Sequence, residues 1–113
     1  MKTFPYEIEH FITEAGSKPF KEWLEGLRDV AGRAKIRIRL DRARLGNLGD
    51  NRFVGEGVRE LRIDYGPGYR VYFALDGTRV VLLLLGGDKS SQERDIARAR
   101  EYWREYQRRR DHG

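Results

Sequence analysis

Apolar positions at Val58, Leu61, Ile63 and Tyr65 are followed, beyond Gly66-Pro67-Gly68, by Tyr69, Val71, Phe73 and Leu75. Alternation with a period of two on both sides of a glycine-proline turn predicts two antiparallel strands. Asp76-Gly77 has the composition of a two-residue hairpin turn and leads into a third strand at residues 80–85. That segment is apolar at every position, so both of its faces should be covered and it belongs near the middle of the sheet. Near the N-terminus, residues 4–12 alternate Tyr6, Ile8 and His10 against Glu7, Glu9 and Phe11, which predicts another strand.

Three segments carry a helical period instead. Ser17 caps a predicted helix with Pro19 in its first turn and Phe20, Trp23, Leu24 and Leu27 on one face, ending near Asp29. Residues 30–45 alternate locally at Ile36 to Leu40, but their length and their Ala, Arg and Leu content favour a helix, which Gly46 ends. Such a helix has two apolar stripes, one of Ala31, Ala34, Ile38 and Leu45 and one of Ile36, Leu40 and Ala43. One stripe should face the sheet; the other is expected to meet the first helix, with a partner protein as the alternative. The GNLGD and GEG segments read as loop, and Gly86-Gly87-Asp88 as a break after the third strand of the meander. Ser90 and Glu93 fit a capping box for a last helix with Ile96, Ala99, Trp103 and Tyr106 on one face, its arginine-rich end at residues 108–110 expected to fray. The pattern therefore predicts an α+β fold with the order β-α-α-β-β-β-α in one domain spanning residues 1–113.

Composition narrows the chemistry. The longest apolar run has six residues, against the roughly 20 that span a bilayer, and no secretory leader pattern is present, so a cytoplasmic protein with no membrane partner is expected. With no cysteine and with histidines only at positions 10 and 112, no metal site or other cofactor is expected. The net charge of +5 resides in residues 28–44, where seven basic residues stand against Asp29 and Asp41. That segment reads either as a solvated helix face or as a footprint for nucleic acid or an acidic protein, with Arg33, Lys35, Arg37, Arg39 and Arg42 as candidate RNA contacts.

On the sheet, pairing Tyr65 with Tyr69 would place Glu60, Arg62 and Asp64 beside Arg70, Tyr72 and Ala74 on one face, with Arg62 opposite Tyr72 and Asp64 opposite Arg70. Val81, Leu83 and Leu85 are expected to extend that face as an apolar wall. Read alone, the face is either an exposed ladder of charge pairs, worth a few tenths of a kcal/mol, or an anion site. Lys89, after the glycines and before the last helix, would enlarge the cationic cluster, close to the free amides of the helix start. Asp95 sits in the first turn of that helix.

The segments ELRIDYGPGYRVYF and LLLLGGDKSSQERDI resemble the RelE/ParE superfamily of bacterial toxins from toxin–antitoxin pairs. The FxxWLxxL helix (Phe20, Trp23, Leu24, Leu27) and the RLGNLGD loop are similar to its HigB-like "addiction module killer" branch. The resemblance runs from about Phe20 to Tyr106. It implies a strand, two helices, a three-stranded antiparallel meander and a final helix. It also implies a ribosome-dependent mRNA endonuclease that acts through attack of a 2′-hydroxyl on the adjacent phosphate. Ribosome and mRNA would be its partners, together with a neutralising helix-turn-helix antitoxin through which alone it would meet operator DNA. Carried over by position, Arg70, Arg62 and Lys89 would bind the scissile phosphate, and Tyr72 would lie in the RNA-binding surface. Several RelE-like toxins carry two lysines on the preceding strand and a stacking tyrosine on the last helix. Here Glu60, Arg62 and Asp95 stand in those places, and Glu60 or Asp95 becomes the candidate proton acceptor. Two other readings stay open on sequence: a ParE-like inhibitor of DNA gyrase, and an inactive antitoxin-binding co-repressor.

Overall fold

Alternating and helical segments fold into β1 (Glu7–His10), α1 (Pro19–Gly26), α2 (Val30–Arg44), β2 (Asn51–Gly55), β3 (Val58–Ile63), β4 (Tyr69–Asp76), β5 (Val80–Asp88) and α3 (Gln92–His112). These come from a computed structural model that describes residues 5–112; Phe4, the expected start of the first strand, lies outside the described residues. The strands form one sheet in the order β1-β5-β4-β3-β2, with β1 parallel to β5 and every other neighbour antiparallel. The meander has four strands rather than three. β2 lies where loop was expected, joined to β3 by a tight turn in which Glu56 and Gly57 both have positive φ, the geometry that matches the twist of a two-stranded ribbon.

Helices cover both faces of the sheet. On one face Phe20 and Leu24 of α1 and Ile36 and Leu40 of α2 pack against Leu61, Ile63, Val71, Phe73, Val81 and Leu83. On the other, Ala99 and Trp103 of α3 pack with Phe11, Val58, Tyr72, Ala74, Leu82 and Leu84. Burying a side chain such as Ile36 or Phe73 completely contributes about 1.5–3 kcal/mol each. β5 is thus covered on both sides, as its unbroken apolar sequence predicts, but its residues divide differently between the faces. A bulge between Tyr72 and Phe73 skips Leu84 in the β4–β5 register. Val81 and Leu83 consequently face α1 and α2, and only Leu85 of the expected apolar wall joins the side of Tyr72.

Gly86 and Gly87 extend β5 rather than break it. A Cβ at Gly86 would lie inside the Trp23 ring and one at Gly87 would collide with the Asp95 carboxylate, so the glycines are there for close approach. Asp88 and Ser91, not Ser90 and Glu93, form the capping box, which closes a 3₁₀ turn at Lys89–Ser91 just before α3. The α3 end does not fray: the helix continues to His112, with Arg109 donating to the Ile12 carbonyl and Arg110 paired with Asp76. Lys18 replaces Ser17 at the N-cap of α1, its backbone N–H donating to Glu22, while Ser17 is held by Thr13. Asp29 caps α2 by accepting from the Gly32 N–H at 2.9 Å and from the Tyr69 hydroxyl at 2.7 Å. That pair fixes the start of α2 to β4. The stripe of Ala31, Ala34, Ile38 and Leu45, expected to meet α1, is instead left largely exposed, with Ile38 50% and Leu45 72% accessible.

Candidate anion-binding site

The turn between β3 and β4 decides what the sheet presents. The Gly68 N–H donates to the Tyr65 carbonyl at 3.0 Å and the Tyr65 N–H to the Ile63 carbonyl at 2.9 Å, so Asp64 and Tyr65 belong to the turn. Gly66 and Gly68 supply its positive φ values. Ile63 therefore pairs with Tyr69, Arg62 with Arg70 and Glu60 with Tyr72. Compared with the expected Tyr65–Tyr69 pairing, the register moves by two residues. An even shift keeps every side chain on its predicted face but replaces its partner. Instead of Asp64, Arg70 meets a second arginine.

Two like charges directly opposite one another destabilise a sheet, and Glu60 offsets this cost. Its side chain is wholly buried. Its Oε1 accepts from Arg52 Nε at 3.0 Å and has Arg62 Nε and Arg70 Nε each at 3.7 Å. Its Oε2 accepts from the Tyr72 hydroxyl at 3.1 Å and from Gln92 Nε2 at 2.7 Å. Burial alone would push this carboxyl's pKa up, but the hydrogen bonds from Gln92, Arg52 and Tyr72 outweigh it and hold the group below the usual glutamate range. Glu60 is an anion at neutral pH. Burial, with the adjacent Glu60 carboxylate, pushes the Tyr72 phenol far above its ordinary value, so it stays a donor.

Three guanidinium groups thus surround one carboxylate, leaving two positive charges unmatched by it. Arg70 is buried and donates from Nη1 to the carbonyls of Gly68 and Tyr69, which sets its orientation. Arg52 and Arg62 keep 51% and 41% of their side-chain surface in solvent. Lys89 is exposed and adjoins Arg70, since a Cβ on Gly68 would touch both Arg70 Nη1 and Lys89 Cβ at 3.4 Å. Asp95 lies against Gly87, the cross-strand partner of Arg70. Its Oδ2 accepts from Ser91 Oγ at 2.5 Å, while Oδ1 has only Arg94 Nε, at 3.9 Å. Arg62, Arg70, Glu60 and Asp95 are therefore brought to one face, with the Cβ of Lys89 beside Arg70 at its edge. Guanidinium groups in excess of carboxylates make this face a candidate for holding an anion.

Other expected contacts are placed elsewhere. Tyr72 has no accessible surface, so its role is the hydrogen bond to Glu60 rather than contact with RNA. Arg39 is occupied as a clamp, donating to the carbonyls of Arg62, Leu48 and Asp50. Arg33 is half-buried, and Lys35 Nζ lies over the Tyr65 ring at 4.9 Å from its centre. Arg37 and Arg42 remain exposed. All five belong to α2, across the sheet from Glu60. Sequence reasoning missed Arg52 and Gln92. Arg52 lies in β2, whose short Asn-Arg-Phe-Val run between glycine-rich segments was the available signal; nothing in the sequence points Gln92 at Glu60.

A basic α+β domain with an arginine cluster on one sheet face, backed by a terminal helix, is the class that fold and site define. Residues 20–104 match the family described as Phage derived protein Gp49-like (DUF891). The chain belongs to that family, which is a RelE/HigB-type toxin-like family. It is also 47% identical, over 81 residues, to an uncharacterized protein of Haemophilus influenzae, a match covering 72% of this chain and 82% of the relative. No solved structure matches the chain. No helix among the described residues is long and apolar enough to cross a membrane.

Proposed function

We propose that this protein is the toxin of a type II toxin–antitoxin pair, of the HigB-like branch. In this reading it acts in the cytoplasm as an endonuclease on ribosome-bound mRNA and is neutralised by a helix-turn-helix antitoxin. The observation that carries the reading is the convergence of Arg52, Arg62 and Arg70 on Glu60 Oε1, at 3.0, 3.7 and 3.7 Å. Clustered guanidinium groups with excess positive charge favour an anion, most strongly one whose charge grows as it reacts. Membership in a toxin-like family supports the same choice.

In the proposed reaction the RNA 2′-oxygen forms a bond to the adjacent phosphorus while the bond from phosphorus to the 5′-oxygen breaks. The products are a 2′,3′-cyclic phosphate and a 5′-hydroxyl. Arg70 and Arg62 hold the phosphoryl oxygens as negative charge builds on them, Arg52 adds a third guanidinium, and Lys89, from the rim, gives a proton to the leaving 5′-oxygen so that it departs as the hydroxyl. Asp95 takes the 2′-hydroxyl proton, because its Oδ1 is the less engaged carboxylate oxygen beside the cluster. Glu60 is saturated with donors and buried, and so orients the arginines rather than accepting a proton.

Induced expression in bacteria tests the reading. Wild type should stop translation within minutes and leave cut transcripts, whereas soluble Arg70→Ala should permit growth. DNA damage and linearised plasmid in place of cut transcripts would identify a gyrase poison. Growth arrest by soluble Arg70→Ala equal to that of wild type would refute the assignment of the site.

A further inference from the structure

One phenylalanine is left in solvent at the edge of the sheet. Phe11, Phe20 and Phe73 are at most 1% accessible, whereas Phe53 of β2 is 64% accessible. Its ring is nonetheless held in place. Phe53 and Arg59 are directly paired across β2 and β3, and the Arg59 guanidinium carbon lies 3.9 Å from the ring centre. Arg59 is fixed in turn, since its Nη1 donates to Asn51 Oδ1 at 2.9 Å. This cation–π contact orients the ring and covers one of its faces. The other face is open.

A single exposed aromatic is ordinary on a protein surface, but the position of this one links it to the arginine cluster. β2 is an outer strand of the sheet. Arg52, the preceding residue, projects to the opposite side of the strand, where it donates to Glu60 and keeps 51% of its side-chain surface in solvent. Their Cα atoms are about 3.8 Å apart, so a single strand of RNA crossing the β2 edge can leave a phosphate with Arg52 and bring a neighbouring base to Phe53. A charged groove for the backbone with an aromatic ring for a base is how single-stranded nucleic acid is held. A protein partner is less well matched. Aromatic anchors between proteins are ringed by further packed contacts, whereas Arg52, Gly55 and Glu56 beside Phe53 are exposed and offer no apolar surround. We propose that Phe53 is the stacking platform for one nucleobase of the RNA strand whose phosphate occupies the arginine cluster. The inference rests on the reading of that cluster as an RNA site. Stacking reads the flat face of a base rather than its hydrogen-bonding edge, so any base is accepted there, purines somewhat better than pyrimidines.

Fluorescence titration of the full chain tests the platform. The probe is a 2′-O-methyl hexanucleotide, which has no free 2′-hydroxyl to attack a phosphate, with 2-aminopurine at one position at a time. The expected result is that wild type quenches the emission at one position or at two adjacent ones. Phe53→Ala should abolish that quenching and weaken binding by about tenfold, with an unchanged thermal melt, while Phe53→Trp retains both. An abasic nucleotide at the quenched position should weaken wild type by a similar factor and leave Phe53→Ala unaffected. Equal affinity and quenching for Phe53→Ala, with binding still weakened by Arg70→Ala, would overturn the platform and leave the anion site standing. The same loss from Phe53→Ala with the abasic probe as with the intact one would also overturn it, because Phe53 would then not act through a base. A probe that does not bind, or whose binding is indifferent to both substitutions, would overturn the platform together with the reading of the cluster as an RNA site.

Discussion

The two basic regions use the same side chains to opposite effect. On the β2–β3–β4 face, three arginines are drawn onto one buried carboxylate, and Arg70 is locked further by two backbone carbonyls. Across the sheet, the basic residues of α2 share no such centre: Arg39 clamps a loop, Lys35 lies over Tyr65, Arg44 pairs with Asp41, and Arg37 and Arg42 are exposed. Convergence makes a site, because Glu60 gathers the guanidinium groups, and backbone carbonyls orient that of Arg70, before any ligand arrives. Divergence makes a field, useful for attraction and weak in positional demand. Charge counted along the chain points to α2, yet the arrangement that can hold one phosphate lies elsewhere.

The hub should break most visibly. Glu60→Ala would leave buried Arg70 without its counter-charge. The expected loss is about 3 kcal/mol, at the low end for a broken buried pair because Arg52 and Arg62 still reach water; urea unfolding measures it. Glu60→Gln retains the shape and removes the charge. RNA binding should then tighten several-fold while cleavage of bound RNA slows by about tenfold, a divergence that a purely structural role would not produce. The pH dependence has a definite sign. With its folded pKa held below the ordinary glutamate value of 4.5, Glu60 contributes stability that is fully present above that value and is lost as pH falls through the folded pKa. Melting temperatures taken from pH 7 to pH 3 should therefore fall more steeply for wild type than for Glu60→Gln.

Smaller effects sharpen the contrast. Arg39→Ala removes donors to three carbonyls and should cost about 1–3 kcal/mol in a thermal melt. Tyr72→Phe deletes one of several donors to Glu60 and should cost about 1 kcal/mol by the same measurement. Arg37→Ala, on the diffuse side, should change stability by less than about 0.5 kcal/mol. Equal costs for Arg39→Ala and Arg37→Ala would show that the clamp to the loop carbonyls contributes nothing.

Most of the fold was legible because burial imposes periodicity. The β3 and β4 alternation, the fully apolar β5 and the apolar faces of α1 and α3 all report which side meets a core. Features governed by single contacts were harder to read. Gly86 and Gly87 look like a chain break until Trp23 and Asp95 are seen against them. β2 is short, and its Arg52 and Phe53 are exposed, so it lacks the burial signal that marks a strand. Within the site, Arg62, Arg70 and Glu60 could be assigned to one face by parity alone. Their pairing could not, because Asp64 and Tyr65 are taken into the turn, an outcome set by backbone hydrogen bonds rather than by hydrophobic pattern. Gln92 comes from α3, 32 residues beyond Glu60, and only tertiary packing places it there.

The most direct test of the central claim is single-turnover cleavage of mRNA on programmed ribosomes by wild type and by Arg70→Ala, both checked for a native melt. Wild type should cut the ribosome-bound message and leave a 2′,3′-cyclic phosphate, and Arg70→Ala should be slower by on the order of 10²-fold. An intact message with wild type, or cutting by folded Arg70→Ala at the wild-type rate, would contradict it.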